Sequence, residues 1–152
     1  MWFSAKGRGA AAGSVAVRTK DLGDRAEQLA LEHLRRHSLT LVRRNFRTPG
    51  RGGGEIDLIM REPDGTLVFV EVRQRASQAK GGAAGSITFH KQRRIVFAAR
   101  HFLHAIGSEP PCRFDVVLVQ GVLQSTGRPG EGPAPAADIL WLKAAFDATA
   151  TF

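Results

Sequence analysis

Residues 55–73 read EIDLIMREPDGTLVFVEVR. Two runs rich in Ile, Leu, Val and Phe flank Glu62-Pro63-Asp64-Gly65. Proline at the second turn position, aspartate at the third and glycine at the fourth suit a type I turn followed by a left-handed glycine, a G1-bulged hairpin. Gly54 to Arg61 and Thr66 to Arg73 are then antiparallel strands, with Glu62 closing on Thr66. In that register Asp57 lies opposite Glu71, and Glu55 opposite Arg73. Facing β-carbons in a hairpin sit about 4.5–5.5 Å apart, where two like charges oppose pairing. Glu71 sharpens the conflict, because it interrupts Leu67-Val68-Phe69-Val70-Glu71-Val72, a run apolar on both faces and therefore predicted to be buried. Two resolutions are open at this point. A divalent cation held by both carboxylates, with a backbone carbonyl and waters completing an oxygen shell, suits Mg²⁺ or Mn²⁺. Alternatively, Arg73 and other nearby cations neutralise the pair in a structural salt-bridge cluster.

Upstream of the hairpin, Leu22, Ala26, Leu29, Ala30, His33 and Leu34 recur at helical spacing, which predicts a helix from Leu22 to His37 with Asp21 or Asp24 as its N-cap. Thr40 to Phe46 reads as a strand. Thr48 to Gly54, with one Pro and four Gly, reads as a loop. Downstream, Gly81 to Gly85 is expected to be flexible. Thr88 can cap a second helix whose Ile95, Ala99, Phe102, Leu103 and Ile106 form an apolar stripe. Arg113 to Gln120 is a further strand, residues 121–137 a Gly/Pro-rich loop, and Asp138 to Lys143 a short final strand. Residues 1–20, rich in Ala, Gly, Ser and basic side chains, read as a flexible basic arm, leaving 21–152 as one domain. The element order predicts an α/β fold, a mixed β-sheet flanked by helices, and not a Rossmann sheet.

The chain has 152 residues, enough for one domain with a single continuous core. Its 22 Lys+Arg against 14 Asp+Glu give a formal charge of +8, which favours a polyanionic partner such as nucleic acid. The charge is unevenly placed: residues 1–51 carry 11 basic and 4 acidic side chains, 52–71 carry 1 and 5, and 72–114 carry 8 and 1. An acidic island thus lies between basic flanks. No apolar run reaches the roughly 20 residues that cross a bilayer, and the first 20 residues lack a signal-peptide core. The lone Cys112 can form no intramolecular disulfide. No membrane role and a cytoplasmic location are therefore the expectation.

Glu55-Ile56-Asp57-Leu58-Ile59 followed by Val70-Glu71-Val72-Arg73-Gln74-Arg75 resembles the YraN-like family of uncharacterised bacterial proteins. That family in turn is similar to the Holliday-junction-resolvase branch of the PD-(D/E)xK, or restriction-endonuclease-like, superfamily. The resemblance extends through Ala26-Glu27 and Ala30, Asn45-Phe46-Arg47, Lys91-Gln92-Arg93 and Arg113-Phe114-Asp115, covering about residues 22–147. It implies an endonuclease acting on DNA phosphodiester bonds, with branched or recombination DNA as the substrate class and Mg²⁺ or Mn²⁺ as cofactor. Asp57 and Glu71 would be the metal ligands, the Val72 carbonyl a third, and Glu27 the acid of the first helix. Glu27 also has a structural reading, as the last member of a capping box begun by Asp24. The sequence departs from the superfamily pattern in two ways. The motif lysine is Arg73, which can stabilise charge but, as an arginine, cannot accept a proton, and the loop between Arg47 and Gly54 is longer than the pattern leads one to expect. The alternative function is therefore a non-catalytic nucleic-acid-binding module with a degenerate nuclease site.

Arg47, Arg75, Lys91, Arg93 and Arg94 are the candidate phosphate contacts. Symmetric junctions take two cutting sites, which would suit a homodimer. His90, His101 and His104 lie near the basic helix and are read as ordinary surface or packing residues. Asp115 is open between support of the site and a strand-edge salt bridge. Trp2 and Trp141 are read as arm and packing residues respectively.

Overall fold

The hairpin forms as its turn chemistry dictates. In the computed structural model, which describes residues 10–75, 87–121 and 137–148, the Glu62 amide donates to the Thr66 carbonyl at 2.9 Å and the Gly65 amide to the Glu62 carbonyl at 2.9 Å. Gly65 takes a φ of +96°, a conformation that a side chain would oppose. The strands on either side are β2 (Glu55–Arg61) and β3 (Leu67–Arg75), paired Leu58↔Val70, Ile59↔Phe69, Met60↔Val68 and Arg61↔Leu67, the register that the turn predicts.

Around this hairpin stand β1 (Thr40–Arg47), β4 (Cys112–Gln120) and β5 (Asp138–Phe146), giving one five-stranded sheet in the order β1-β2-β3-β4-β5. β3 and β4 run parallel and the other neighbours antiparallel, so the sheet is mixed. Two helices, α1 (Ala10–Arg36) and α2 (Phe89–Ile106), cover its two faces. On one face Ile59, Leu67, Phe69, Phe114, Val116 and Leu118 pack against Ile95, Val96, Ala98, Ala99 and Phe102 of α2. On the other, Leu58, Met60, Val68, Val70, Val117 and Val119 pack against Ala26, Ala30, Leu31 and Leu34 of α1. Strands sandwiched this way bury both faces, which is why β3 and β4 are apolar at nearly every position of their buried stretches, Glu71 and Asp115 excepted.

Three expectations are corrected in detail. α1 begins at Ala10, not Leu22, so Asp21 and Asp24 lie inside the helix and cap nothing. Residues 10–20 are helical where an arm was expected, while residues 1–9, with Trp2, lie outside the described residues, as do 76–86 and 122–136 with most of the two expected loops. The last strand runs on to Phe146, through Ala144 at a φ of +50°. The second helix starts as expected: Thr88 Oγ1 accepts the Lys91 amide at 3.2 Å, and Gly107 ends it with a φ of +67°.

The Gly-rich loop joins β1 to β2 and packs against α2. Thr48, buried at its base, donates its amide to the Gly54 carbonyl at 3.0 Å and accepts the Gly54 amide on Oγ1 at 2.7 Å. A β-carbon on Gly54 would run into the backbone carbonyl of Arg94. Glycine there is what lets β2 begin directly beneath α2.

Candidate active site

Asp57 sits where the sheet loses its regularity. Towards β1 both its neighbours pair but Asp57 itself does not, the partners passing from Arg44↔Leu58 to Phe46↔Ile56, and towards β3 the pairing stops at Leu58↔Val70. Residues two apart on a strand normally share a face. Here Leu58 packs on the α1 side and Ile56 on the α2 side, so β2 turns over at Asp57. Asn45, opposite it on β1, absorbs the same twist with a φ of +49°. The expected face-to-face pairing of Asp57 with Glu71 is thereby modified. The Val72 amide, which in a continuing ladder would serve Ile56, donates instead to Asp57 Oδ2 at 2.9 Å.

Glu71, 3% exposed, shares the α2 face of β3 with Phe69 and meets Lys91 from the first turn of α2, with Nζ 2.5 Å from Oε1. Burial and the neighbouring Asp57 charge push the Glu71 pKa up to about 7, although Lys91 pulls it back. Asp57 is likewise raised, chiefly by burial, against the opposing pull of the Val72 amide and Lys91. Glu27 reaches the same place from α1. Its pKa is raised by burial and then by Asp57, with Asn45 and Arg44 acting against the rise. Its Oε2 is buried without a hydrogen-bond partner, and the Arg44 guanidinium stands off at 3.8 Å. Glu27 lies well inside α1, so the capping-box reading falls and its proximity to Asp57 is what remains.

Glu27, Asp57, Glu71 and Lys91 are therefore brought together at a parting in the sheet reached from both helices. Arg73 follows Glu71 by two residues on the same face of β3. Arg47 is exposed and pairs with Glu55 at 3.4 Å, and Arg94 Nε donates to the Gly53 carbonyl at 3.2 Å. Arg93 and Arg94 are exposed along α2, and Arg75 ends β3. Asp115 lies elsewhere. Fully buried on the α1 side, it accepts from Arg113 Nε at 3.0 Å, Trp141 Nε1 at 2.9 Å and the Ala144 amide at 2.9 Å, and Arg113 continues to Glu62 at 2.7 Å. The salt-bridge reading holds for Asp115, and Trp141 packs against the core as expected.

What sequence reasoning missed is the place of Lys91, assigned to phosphates but standing on Glu71. The signal was present: a lysine in the first turn of a helix opposes the macrodipole, and α2 has no acidic residue there to offset it. Asn45 was missed as well, and nothing in its local sequence marks the twist.

The apo protein should lose stability as pH rises through the Glu71 titration. A carboxyl whose pKa in the folded state lies above its unfolded value stabilises fully below about pH 4.5, and that contribution drains away towards pH 7. The loss is on the order of 3 kcal/mol. Urea melts between pH 4 and 8 should show this slope in the wild type and a flatter one in Glu71→Gln; equal slopes would contradict the burial of an ionisable Glu71.

Residues 26–119 match a family model described as "Uncharacterised protein family UPF0102". A "UPF0102 protein" of Polaromonas naphthalenivorans is 55% identical over 159 residues, covering 98% of this chain and all of its own length. The chain belongs to the UPF0102 family. Another UPF0102 protein, from a Polaromonas species, is 56% identical over 155 residues, covering 98% of this chain and all of its own length, and one from Albidiferax ferrireducens is 57% identical over 131 residues, covering 86% of this chain and 90% of its own. The UPF0102 match begins at Ala26 and ends at Val119, so it contains Glu27, Asp57, Glu71 and Lys91. No helix among the described residues is long and apolar enough to cross a membrane.

A cation at this site would find oxygen donors alone: the Asp57 and Glu71 carboxylates, with Glu27 Oε2 nearby and without a hydrogen bond. Hard oxygen ligands of this kind suit Mg²⁺ or Mn²⁺. Among the described residues no group of three or more His, Cys, Asp or Glu side chains is arranged to hold a metal ion. The remaining ligands would therefore come from the backbone, water and a bound phosphate, the usual condition for Mg²⁺.

Proposed function

We propose that this UPF0102 protein is a metal-dependent endonuclease of the PD-(D/E)xK kind, hydrolysing phosphodiester bonds in DNA, with branched or recombination DNA as the substrate class. The supporting observation is the buried Glu71 beside the half-buried Asp57, held at a break in the sheet with a lysine against it. Withdrawing two neighbouring carboxylates from water costs stability, and Glu71 at a pKa of about 7 carries part of that cost despite Lys91. Mg²⁺ or Mn²⁺ held by Asp57 and Glu71 would supply Lewis acidity to the scissile phosphate and a more acidic attacking water. Lys91, 44% exposed at its side chain, can face phosphate as well as Glu71 and so can stabilise charge on the phosphorane. Arg73 offers a second cation on the same face of β3. Arg47, Arg75, Arg93 and Arg94 hold the backbone of the substrate by its phosphates. Cutting both sides of a symmetric junction takes two sites, so the junction reading carries a homodimer with it.

One observation favours a second reading. The Lys91–Glu71 ion pair partly satisfies the buried carboxylate without metal, as a non-catalytic nucleic-acid-binding module with a vestigial site would require. The two are separated by incubating purified protein with single-stranded, duplex and four-way-junction DNA in Mg²⁺, Mn²⁺ or EDTA, at several salt concentrations. The endonuclease reading predicts cleavage with metal, none with EDTA, and binding that weakens with salt as phosphate contacts release counterions. Salt-sensitive binding with no cleavage in any metal selects the binding module. No binding at low salt removes both.

A further inference from the structure

α2 presents a second feature, an exposed aromatic ring beside a pocket, that the proposed chemistry does not use. Its sequence contains no Asp or Glu, while Lys91, Arg93, Arg94 and Arg100 distribute positive charge along it. Two of its phenylalanines point away from the core: Phe89 is 55% exposed and Phe97 48%. Between α2 and the Gly-rich loop is a pocket of about 350 Å³ lined by Gly52, His90, Arg93, Arg94, Phe97 and Arg100. That volume lies in the range of small-ligand sites, about 300–1,000 Å³. The loop side is held in place by the hydrogen bond from Arg94 Nε to the Gly53 carbonyl and by Thr48 closing on Gly54. On the helix side, the Phe97 ring stands against His101 with centroids 5.3 Å apart.

We propose that this pocket seats an unpaired nucleotide of single-stranded DNA, its base stacked on Phe97 and its phosphates held by Arg93, Arg94 and Arg100. The assignment rests on the proposed function only for the substrate being DNA; the preference for an unpaired strand comes from the pocket. An exposed aromatic ring among cations is the arrangement that binds single strands, because every base has a π-face and every linkage a charge. In an intact duplex the base faces are already stacked on one another and unavailable to Phe97. The charge complementarity also argues against an apolar protein partner, since a ring of arginines around one phenylalanine suits a polyanion that carries its own flat surfaces. Lys91 belongs to the same helix, so a strand seated here lies beside the helix turn that reaches Glu71. A substrate that joins duplex to single strand would satisfy both regions at once.

The test is fluorescence anisotropy in EDTA, where cleavage plays no part, with a labelled thymidine strand of about 12 nucleotides and a blunt duplex of the same length. Wild type should bind the single strand more tightly than the duplex. Phe97→Leu, which keeps apolar bulk without a π-face, should weaken single-strand binding by about 10-fold and leave duplex binding unchanged, and Phe97→Trp should preserve it. Phe97 is half exposed, and circular dichroism melts confirm that the variants remain folded. Equal single-strand affinity for wild type and Phe97→Leu overturns the inference, as does duplex preference in the wild type. Sedimentation showing that Phe97→Leu dissociates a homodimer overturns it too, assigning the face to a second copy. Single-strand binding that does not depend on Phe97, with cleavage intact, would sink the pocket and leave the endonuclease standing; Phe97-dependent binding without cleavage would do the reverse.

Discussion

Asp57→Asn and Glu71→Gln are each expected to lower metal-dependent cleavage by about 10³-fold or more while DNA binding in EDTA stays within a few-fold of wild type. A loss of that size corresponds to about 4 kcal/mol of transition-state stabilisation, the scale of removing one principal electrostatic contact. Amides keep the shape of both side chains but hold Mg²⁺ poorly. Local structure should survive, because an asparagine oxygen can still accept the Val72 amide that Asp57 Oδ2 accepts at 2.9 Å, and a glutamine oxygen can still accept from Lys91. Removing one of two adjacent negative charges also relieves repulsion, so the thermal stability of the apo protein should hold or rise. Single-turnover cleavage, paired with thermal melts, checks both halves. Strong destabilisation of the apo variants would instead assign the pair to a structural ion cluster.

The second large effect is expected at the cation. Lys91→Ala should slow cleavage by about 10²–10³-fold at saturating metal, whereas Arg73→Lys should remain within about one order of magnitude of wild type. The reason is positional: the cation found on Glu71 belongs to α2, at Lys91, and not to the β3 position two residues beyond it. Arg73→Ala should cost less than Lys91→Ala if Arg73 steadies phosphate charge from the flank. Rates measured across all three variants decide the matter: a fully active Lys91→Ala together with an inactive Arg73→Ala would return the role to Arg73.

The hairpin was legible because its determinants are local. Proline, aspartate and glycine at fixed turn positions set the closure, and with it every pairing from Arg61↔Leu67 to Leu58↔Val70. The two-faced burial of β3 was legible as well, through the apolar run over residues 67–72 that Glu71 alone breaks. Asp57 and Glu71 were found for that reason, as charges where the pattern admits none. The break in the sheet at Asp57 was not legible. It depends on Asn45 adopting a positive φ across the strand pair, a tertiary compromise that no local rule encodes. Glu27 was suspected alongside a competing capping box, which fails because α1 continues upstream to Ala10 through a stretch of Ala, Gly and Ser with no clear apolar period. Lys91 was placed on the basic helix, but its contact with Glu71 was not foreseen, because which turn of α2 overhangs Glu71 is fixed by Gly54 letting the strand approach the helix backbone.

The most direct test of the site is calorimetric titration of Mn²⁺ into the apo protein at pH 7, in two buffers of different ionisation enthalpy. With Glu71 near a pKa of 7, a fraction of the molecules carry a proton that an incoming cation must displace. The wild type should therefore bind Mn²⁺ with a buffer-dependent heat that reports proton release, and affinity should rise from pH 6 to pH 8. Glu71→Gln and Asp57→Asn should bind weakly or not at all. No Mn²⁺ binding by the wild type up to about millimolar concentration, or binding that both variants retain, would contradict a cation site at Asp57 and Glu71.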